Sequence, residues 1–256
     1  MPSTLVALAT YNERENLPAL VDDVLHVLPH ADILVVDDNS PDGTGRWCDA
    51  RADDEQRLAC MHRPEKQGLG SATIAAMRHA MADGYEIVTT MDADFSHDPA
   101  DLPRLVLALR EDDADVAIGS RYCEGGKIDG WPFHRRVASR LVNAVARRLL
   151  KLPTHDCSGA FRAYRVDVLK RMDLDALRAS GYAYLEEILC HLTAVGAKFT
   201  EVPITFRDRR AGRSKLGAGE AVRTLATILR LARMTRFRTR NLSDNPKTPT
   251  PKASGR

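Results

Sequence analysis

Leu5-Val6-Ala7-Leu8-Ala9 and Ile33-Leu34-Val35-Val36, with Glu15 to Leu28 between them, decide how this chain is read. The two short apolar runs predict buried strands. The segment between carries Leu17, Leu20, Val21, Val24, Leu25 and Leu28 at helical spacing. Pro18 falls in its first turn, where a missing N–H costs nothing. Together they form a β-α-β unit. The alternation continues outward with a helix after Asp42-Gly43-Thr44, a strand at Leu58 to His62 and a helix after Gly68-Leu69-Gly70. A strand at Ile87 to Met91, a helix at Leu102 to Leu109 and a strand at Val116 to Gly119 follow. This pattern predicts an α/β fold, with a Rossmann-like, mostly parallel sheet and helices on both faces. The domain is expected to be single and to span residues 1–240.

Past Arg121 the pattern loosens. A glycine-containing loop at Glu124 to Pro132 leads into a basic amphipathic helix from His134 to Leu150. Thr154 to Tyr164 reads as irregular and polar, Leu185 to Val195 as helix and Phe199 to Thr205 as strand. The basic loop Arg207 to Lys215 precedes a last helix from Gly219 to Arg236. Residues 241–256, rich in Pro, Lys, Thr and Ser, predict a disordered tail.

The 256 residues are 44% hydrophobic and 28% charged, an ordinary globular composition. A net charge of +2 argues against a nucleic-acid partner. Five scattered cysteines without a CxxC pair favour a reducing compartment. No basic, apolar leader opens the chain, and no run reaches the roughly 18 to 20 apolar residues that span a bilayer. The protein is expected to be soluble or to rest on a membrane surface.

In a sheet of this kind, chemistry gathers at the carboxyl ends of the strands. The polar clusters fall there: Tyr11-Asn12-Glu13, Asp37-Asp38-Asn39-Ser40, Asp92-Ala93-Asp94 and Ser120-Arg121-Tyr122. Asp92 and Asp94, two positions apart after an apolar strand, can point the same way. Two carboxylates suit Mg²⁺ or Mn²⁺, with diphosphate oxygens and water completing the shell. An isolated Asp-x-Asp is short and also serves as a simple helix-capping turn. Tyr11-Asn12-Glu13, Asp37-Asp38-Asn39-Ser40 and Asp92-Ala93-Asp94 together, three of these strand ends in one chain, are harder to explain as turns alone.

The segments Ala9-Thr10-Tyr11-Asn12-Glu13, Val35-Val36-Asp37-Asp38-Asn39-Ser40-Pro41-Asp42-Gly43-Thr44, Met91-Asp92-Ala93-Asp94-Phe95-Ser96-His97 and Gly119-Ser120-Arg121-Tyr122 resemble family 2 glycosyltransferases of GT-A fold. More narrowly, they resemble dolichyl- or polyprenyl-phosphate mannose synthases. Gly130-Trp131-Pro132, Asp156 to Arg162, Phe206 to Arg209 and Gly212 to Leu216 extend the likeness, which covers about residues 3–236. It implies a GDP-mannose donor, a polyprenyl or dolichyl phosphate acceptor, a divalent cation and inversion at the sugar carbon.

The same resemblance implies that Tyr11, Glu13, Val36 and Asp38 contact the nucleotide, and that Asp92, Ala93 and Asp94 line the diphosphate and metal site. Arg121, Arg209 and Lys215 are implied to bind phosphates or the donor, with Arg135 and Ser139 near the acceptor phosphate. Asp92, Asp94 and Arg121 are the implied catalytic residues, and Ser96 stands where some relatives place a third metal ligand, a glutamine. Ala9 stands in place of a usual proline and Ala183 in place of a lysine. The resemblance is to the compact form of the family, which is expected to do without the two C-terminal pairs of membrane helices found in some relatives.

Val137, Leu141, Val145 and Leu149 with Arg140, Arg147 and Arg148, and Val222, Leu225, Leu229 and Ala232 with Arg223, Arg230, Arg233 and Arg236, make two basic amphipathic faces. Such faces suit the cytoplasmic side of an anionic bilayer or packing on the domain itself. A membrane partner subunit is compatible with either. Two other functions stay open: glucose transfer from UDP-glucose to a lipid phosphate, and a catalytically silent binding subunit.

Overall fold

The computed structural model describes residues 3–178, 181–208 and 226–233. Arg209, Lys215 and the 241–256 tail lie outside these residues, as does most of the basic loop. The chain begins β1 (Thr4–Thr10), α1 (Leu17–Val27), β2 (Ala31–Asp37), α2 (Thr44–Ala52), β3 (Leu58–His62), α3 (Leu69–Ala82) and β4 (Ile87–Asp92). It continues with α4 (Leu102–Glu111), β5 (Val116–Ser120), β6 (Lys127–Ile128), α5 (Phe133–Leu150), β7 (Arg162–Arg165) and α6 (Val166–Lys170). α7 (Tyr184–Ala194), β8 (Phe199–Pro203) and β9 (Thr205–Phe206) follow, and residues 226–233 are helical.

Among the described residues the main sheet has seven strands in the order β3-β2-β1-β4-β7-β5-β8, of which β7 alone runs antiparallel to its neighbours. Alternate residues of each strand feed opposite layers. Leu5, Ala7, Leu34 and Val36 pack against α3, α6 and α7. Val6, Leu8, Ile33 and Val35 pack against α1 and α4. The α/β, GT-A architecture with helices on both faces is therefore present.

One reading of the sequence is corrected and one alternative is resolved. Thr154 to Tyr164 is not wholly irregular, because its end enters β7 at the middle of the sheet. There Arg162 pairs with Thr90 and Ile118. Its guanidinium is fully buried and donates to the carbonyls of Leu185 (3.0 Å) and Cys157 (2.9 Å), which is how a charged residue occupies a central strand. The last helix, in its described part, packs on the domain: Ile228, Leu231 and Ala232 are buried in the α3/α7 layer, and Leu229 is exposed.

α7 carries an unusual carboxyl. Glu186 is 2% exposed, and its Oε2 has no hydrogen-bond partner among the described residues. Burial pushes its pKa up to about 7 from an ordinary 4.5. A carboxyl that holds its proton more tightly when folded gives full stability below about 4.5, which declines as pH rises through about 7. Glu186→Gln should therefore raise Tm above neutral pH, by at least about 2 °C, and change little in acid. Thermal unfolding across that range checks it. An equal shift at both ends would remove the role of ionisation.

Candidate active site

β1 lies between β2 and β4, where the order of the strands turns back on itself. Ala9 pairs with Val36 on one side and with Asp92 on the other, and Thr10 pairs with Asp37. The three polar segments thus leave the sheet side by side at a switch point, where open α/β sheets hold their ligands. Backbone N–H groups of the first loop donate into the second: Asn12 to Ser40 Oγ (3.0 Å), Glu13 to Thr44 Oγ1 (3.1 Å) and Arg14 to Asp42 Oδ2 (3.0 Å). Asp37 is buried and accepts from Thr10 Oγ1 (3.0 Å), the Ser40 N–H (3.0 Å) and the Ser40 hydroxyl. Its role is to pin the second loop. Asn12, Asn39 and Phe95, one in each loop, hold positive φ angles of 62°, 57° and 60°. That conformation is uncommon outside glycine and clusters at binding sites.

Asp92 ends β4, and Asp94 follows in the turn. The Ser96 N–H donates to Asp94 Oδ1 at 3.0 Å, fixing that carboxylate. His97 Nδ1 accepts the Asp92 N–H at 3.3 Å, and its ring stacks on Phe161 with centroids 5.0 Å apart. Burial holds His97 down at about 4, so it is neutral and acts here as an acceptor. The hydroxyl-bearing side chain of Ser96 is itself buried, and Ala93 points into the α1/α4 core. Two hard carboxylates at the switch point fit a cation that shares its shell with a diphosphate. Among the described residues, no third His, Cys, Asp or Glu closes a donor set with them.

The other expected residues are distributed as follows. Tyr11 is half-buried, with the Lys66 ammonium over its ring at 3.8 Å. Glu13 Oε2 accepts from Asn16 Nδ2 at 3.0 Å, and Val36 is buried with its carbonyl facing Thr10 Oγ1. Asp38 is saturated: Arg63 Nε and Nη2 meet Oδ1, while the N–H groups of Gln67 (3.1 Å) and Gly68 (2.9 Å) meet Oδ2. A carboxylate offers about four acceptor sites, so Asp38 anchors the 63–68 loop in this conformation.

Arg121 is likewise committed. It is buried and grips Asp156 through Nε (2.7 Å), Nη2 (2.7 Å) and its own N–H (3.0 Å), with Ser158 Oγ at 2.9 Å. Burial alone would raise the Asp156 pKa, but the charge and hydrogen bonds of Arg121 win and hold it below the usual carboxylate range. Ser139 Oγ accepts from Tyr122 Oη at 2.6 Å. Arg135 lies over the Trp131 ring at 3.8 Å and 3.8 Å from Asp208. Phe206 links these parts: its ring meets His97 at 5.4 Å, Trp131 at 5.3 Å and the Arg121 guanidinium at 5.3 Å. α5 is thereby tied to the Asp92–Asp94 turn.

A sugar-transfer family model, Glycosyl transferase family 2, matches residues 5–173, spanning all three strand-end clusters and Arg121. The chain belongs to glycosyltransferase family 2. It is 41% identical over 226 residues to an undecaprenyl-phosphate mannosyltransferase of Micrococcus luteus, covering 88% of this chain and 92% of that protein. It is 45% identical over 214 residues to a polyprenol monophosphomannose synthase of Mycolicibacterium smegmatis, covering 83% and 80%. Among solved structures, glucosyl-3-phosphoglycerate synthase of Mycobacterium tuberculosis, bound to Mn²⁺, UDP and product, superposes with a TM-score of 0.65 at 19% identity (90% of this chain, 80% of that one). A Pyrobaculum calidifontis mannosyltransferase with GDP-mannose and Mn²⁺ gives 0.60 at 19% identity (97% and 66%). These likenesses establish the shared fold.

Three residues of this family 2 glycosyltransferase carry roles that sequence reasoning did not assign. Lys66 and Arg63 lie on the loop after β3 and reach Tyr11 and Asp38. Asp156 is 35 residues from Arg121, so no local spacing points to the pair.

Proposed function

We propose that this hexosyltransferase moves mannose from GDP-mannose to a polyprenyl or dolichyl phosphate, with inversion, giving a β-linked lipid phosphate mannose. At the coarser level, transfer of a hexose from a nucleotide sugar to a phosphate-bearing acceptor follows from its close relatives. The observation that carries the finer reading is the Asp92–Asp94 turn at the sheet switch point, joined through Phe206 and Trp131 to the helix bearing Arg135 and Ser139. The two relatives above 40% identity, both named for mannose transfer to a lipid phosphate, support the choice of sugar and acceptor.

One oxygen of the acceptor phosphate forms the new bond to the sugar C1 as the bond from C1 to the diphosphate oxygen breaks, releasing GDP. The acceptor is already an anion at neutral pH, so no residue need remove a proton. Asp92 and Asp94, with Ser96 at the third position, would hold Mg²⁺ or Mn²⁺, which supplies positive charge against the departing diphosphate. Tyr11, Glu13, Val36 and Asp38 frame the nucleotide, and Ala93 lines the diphosphate and metal site. Arg121 shapes the diphosphate end, and Arg135 and Ser139 receive the acceptor phosphate.

Arg209 and Lys215 add charge to the same leaving group. Lys215→Ala is expected to lower kcat/KM for the donor by about 10- to 100-fold with Tm unchanged. Unaltered steady-state kinetics would return that loop to a merely solvated one. No described helix is long and apolar enough to cross a membrane. Peripheral contact with the cytoplasmic leaflet, with or without a membrane partner subunit, completes the reading. Calorimetry with Mn²⁺ present tests the donor: GDP-mannose should bind at least about tenfold tighter than UDP-glucose. The reverse order would replace mannose by glucose.

A further inference from the structure

α5 carries two chemistries on different faces. Arg135 and Ser139 turn toward the site, on Trp131 and Tyr122. Phe133, Val137 and Leu141, four positions apart, form an apolar stripe that is 75%, 48% and 63% exposed. Arg136 and Arg140 adjoin this stripe, because residues three and four apart share a helical face. Opposite them stands β6, held by its pairing with β9 and by close approach of Gly126 to the end of β5, where a Cβ would lie 2.6 Å from the Ser120 carbonyl. The two walls enclose a cavity of about 290 Å³ lined by Gly126, Lys127, Ile128, Asp129, Arg136 and Arg140.

Lys127, Arg136, Arg140 and Asp129 are all exposed, so the cavity carries three positive charges against one negative at the surface. Among the described residues none of the three basic groups is in a salt bridge, whereas neighbouring Arg135 and Arg207 are paired to Asp208 and Asp98. A cationic cavity asks for an anion, and a phosphate group answers its charge and fits within its volume. The adjoining apolar stripe decides the source, since a phosphate attached to acyl chains satisfies both surfaces at once.

We propose that the Lys127/Arg136/Arg140 cavity takes the phosphate headgroup of an anionic membrane phospholipid while Phe133, Val137 and Leu141 enter the bilayer interface. This rests on the lipid-phosphate reading above and gives it a geometry. Docked this way, the same helix presents Arg135 and Ser139 at the level of the headgroups, where the acceptor phosphate lies.

Vesicle co-sedimentation of the full chain tests the assignment. On mixed phosphatidylcholine and phosphatidylglycerol vesicles, Arg136→Ala/Arg140→Ala should partition about 10- to 30-fold less than wild type. Arg147→Ala/Arg148→Ala removes the same charge from exposed positions at the far end of α5 and should retain most binding. Equal binding by the first variant, or equal loss in the second, would overturn a specific cavity. Calorimetric binding of inorganic phosphate that the first variant abolishes while vesicle binding persists would make the ligand free phosphate. Transfer to a short, soluble polyprenyl phosphate reports separately and should stay within about twofold in Arg136→Ala/Arg140→Ala. Its loss in that variant would move both arginines into the acceptor site and refute the headgroup assignment. Its absence in wild type would instead defeat the proposed function.

Discussion

Replacing Asp94 by asparagine is expected to cut cation-dependent turnover by at least about 10³-fold while leaving the fold intact. The fold should survive because asparagine keeps an Oδ1 to accept the Ser96 N–H that Asp94 now accepts. What it loses is half of the carboxylate pair on a turn already shaped by Phe95 and His97. Steady-state rates over a Mn²⁺ titration, beside thermal unfolding of the same preparation, separate the two effects. Near-normal turnover would remove Asp94 from the metal site. A large fall in Tm would recast it as a structural cap.

Asp156→Ala is expected to have the largest effect on stability. The carboxylate is fully buried and accepts from Arg121 Nε, Nη2 and N–H and from the Gly159 N–H (3.0 Å). Removing it strands a buried guanidinium, and breaking such a pair costs about 3–5 kcal/mol. For a chain of this size that corresponds to a fall in Tm of roughly 6–20 °C. Denaturant unfolding gives the figure directly. Arg121→Met/Asp156→Leu should recover part of the lost stability, because an apolar pair of similar bulk pays no desolvation. Activity should not return with it if Arg121 also serves the donor. Recovery of both would leave Arg121 a purely structural residue.

The contrast between these two sites shows what the sequence displays and what it hides. β1, α1, β2 and β4 were legible because each buries a face whose period is written locally. The clustering of Tyr11, Asp37 and Asp92 followed from the rule that strand ends collect polar residues. β7 was not legible, since Arg162 and Arg165 interrupt any apolar run, and the sheet tolerates them only because distant carbonyls solvate the charges. The commitments of Asp38 to Arg63 and of Arg121 to Asp156 join residues 25 and 35 positions apart, and nothing local announces them. Residues 226–233 teach a different lesson. An amphipathic helix reads the same whether its apolar face meets a bilayer or a core, and Ile228 and Leu231 meet the core.

Transfer itself is the most direct test of the central claim. The purified chain, incubated with radiolabelled GDP-mannose, Mn²⁺ and undecaprenyl phosphate, should yield a labelled, solvent-extractable mannolipid. Its formation should require both the cation and the lipid phosphate, and GDP should appear in equal amount. Label that remains wholly water-soluble with every nucleotide sugar would contradict the account, and label incorporated from UDP-glucose alone would contradict the assignment of mannose.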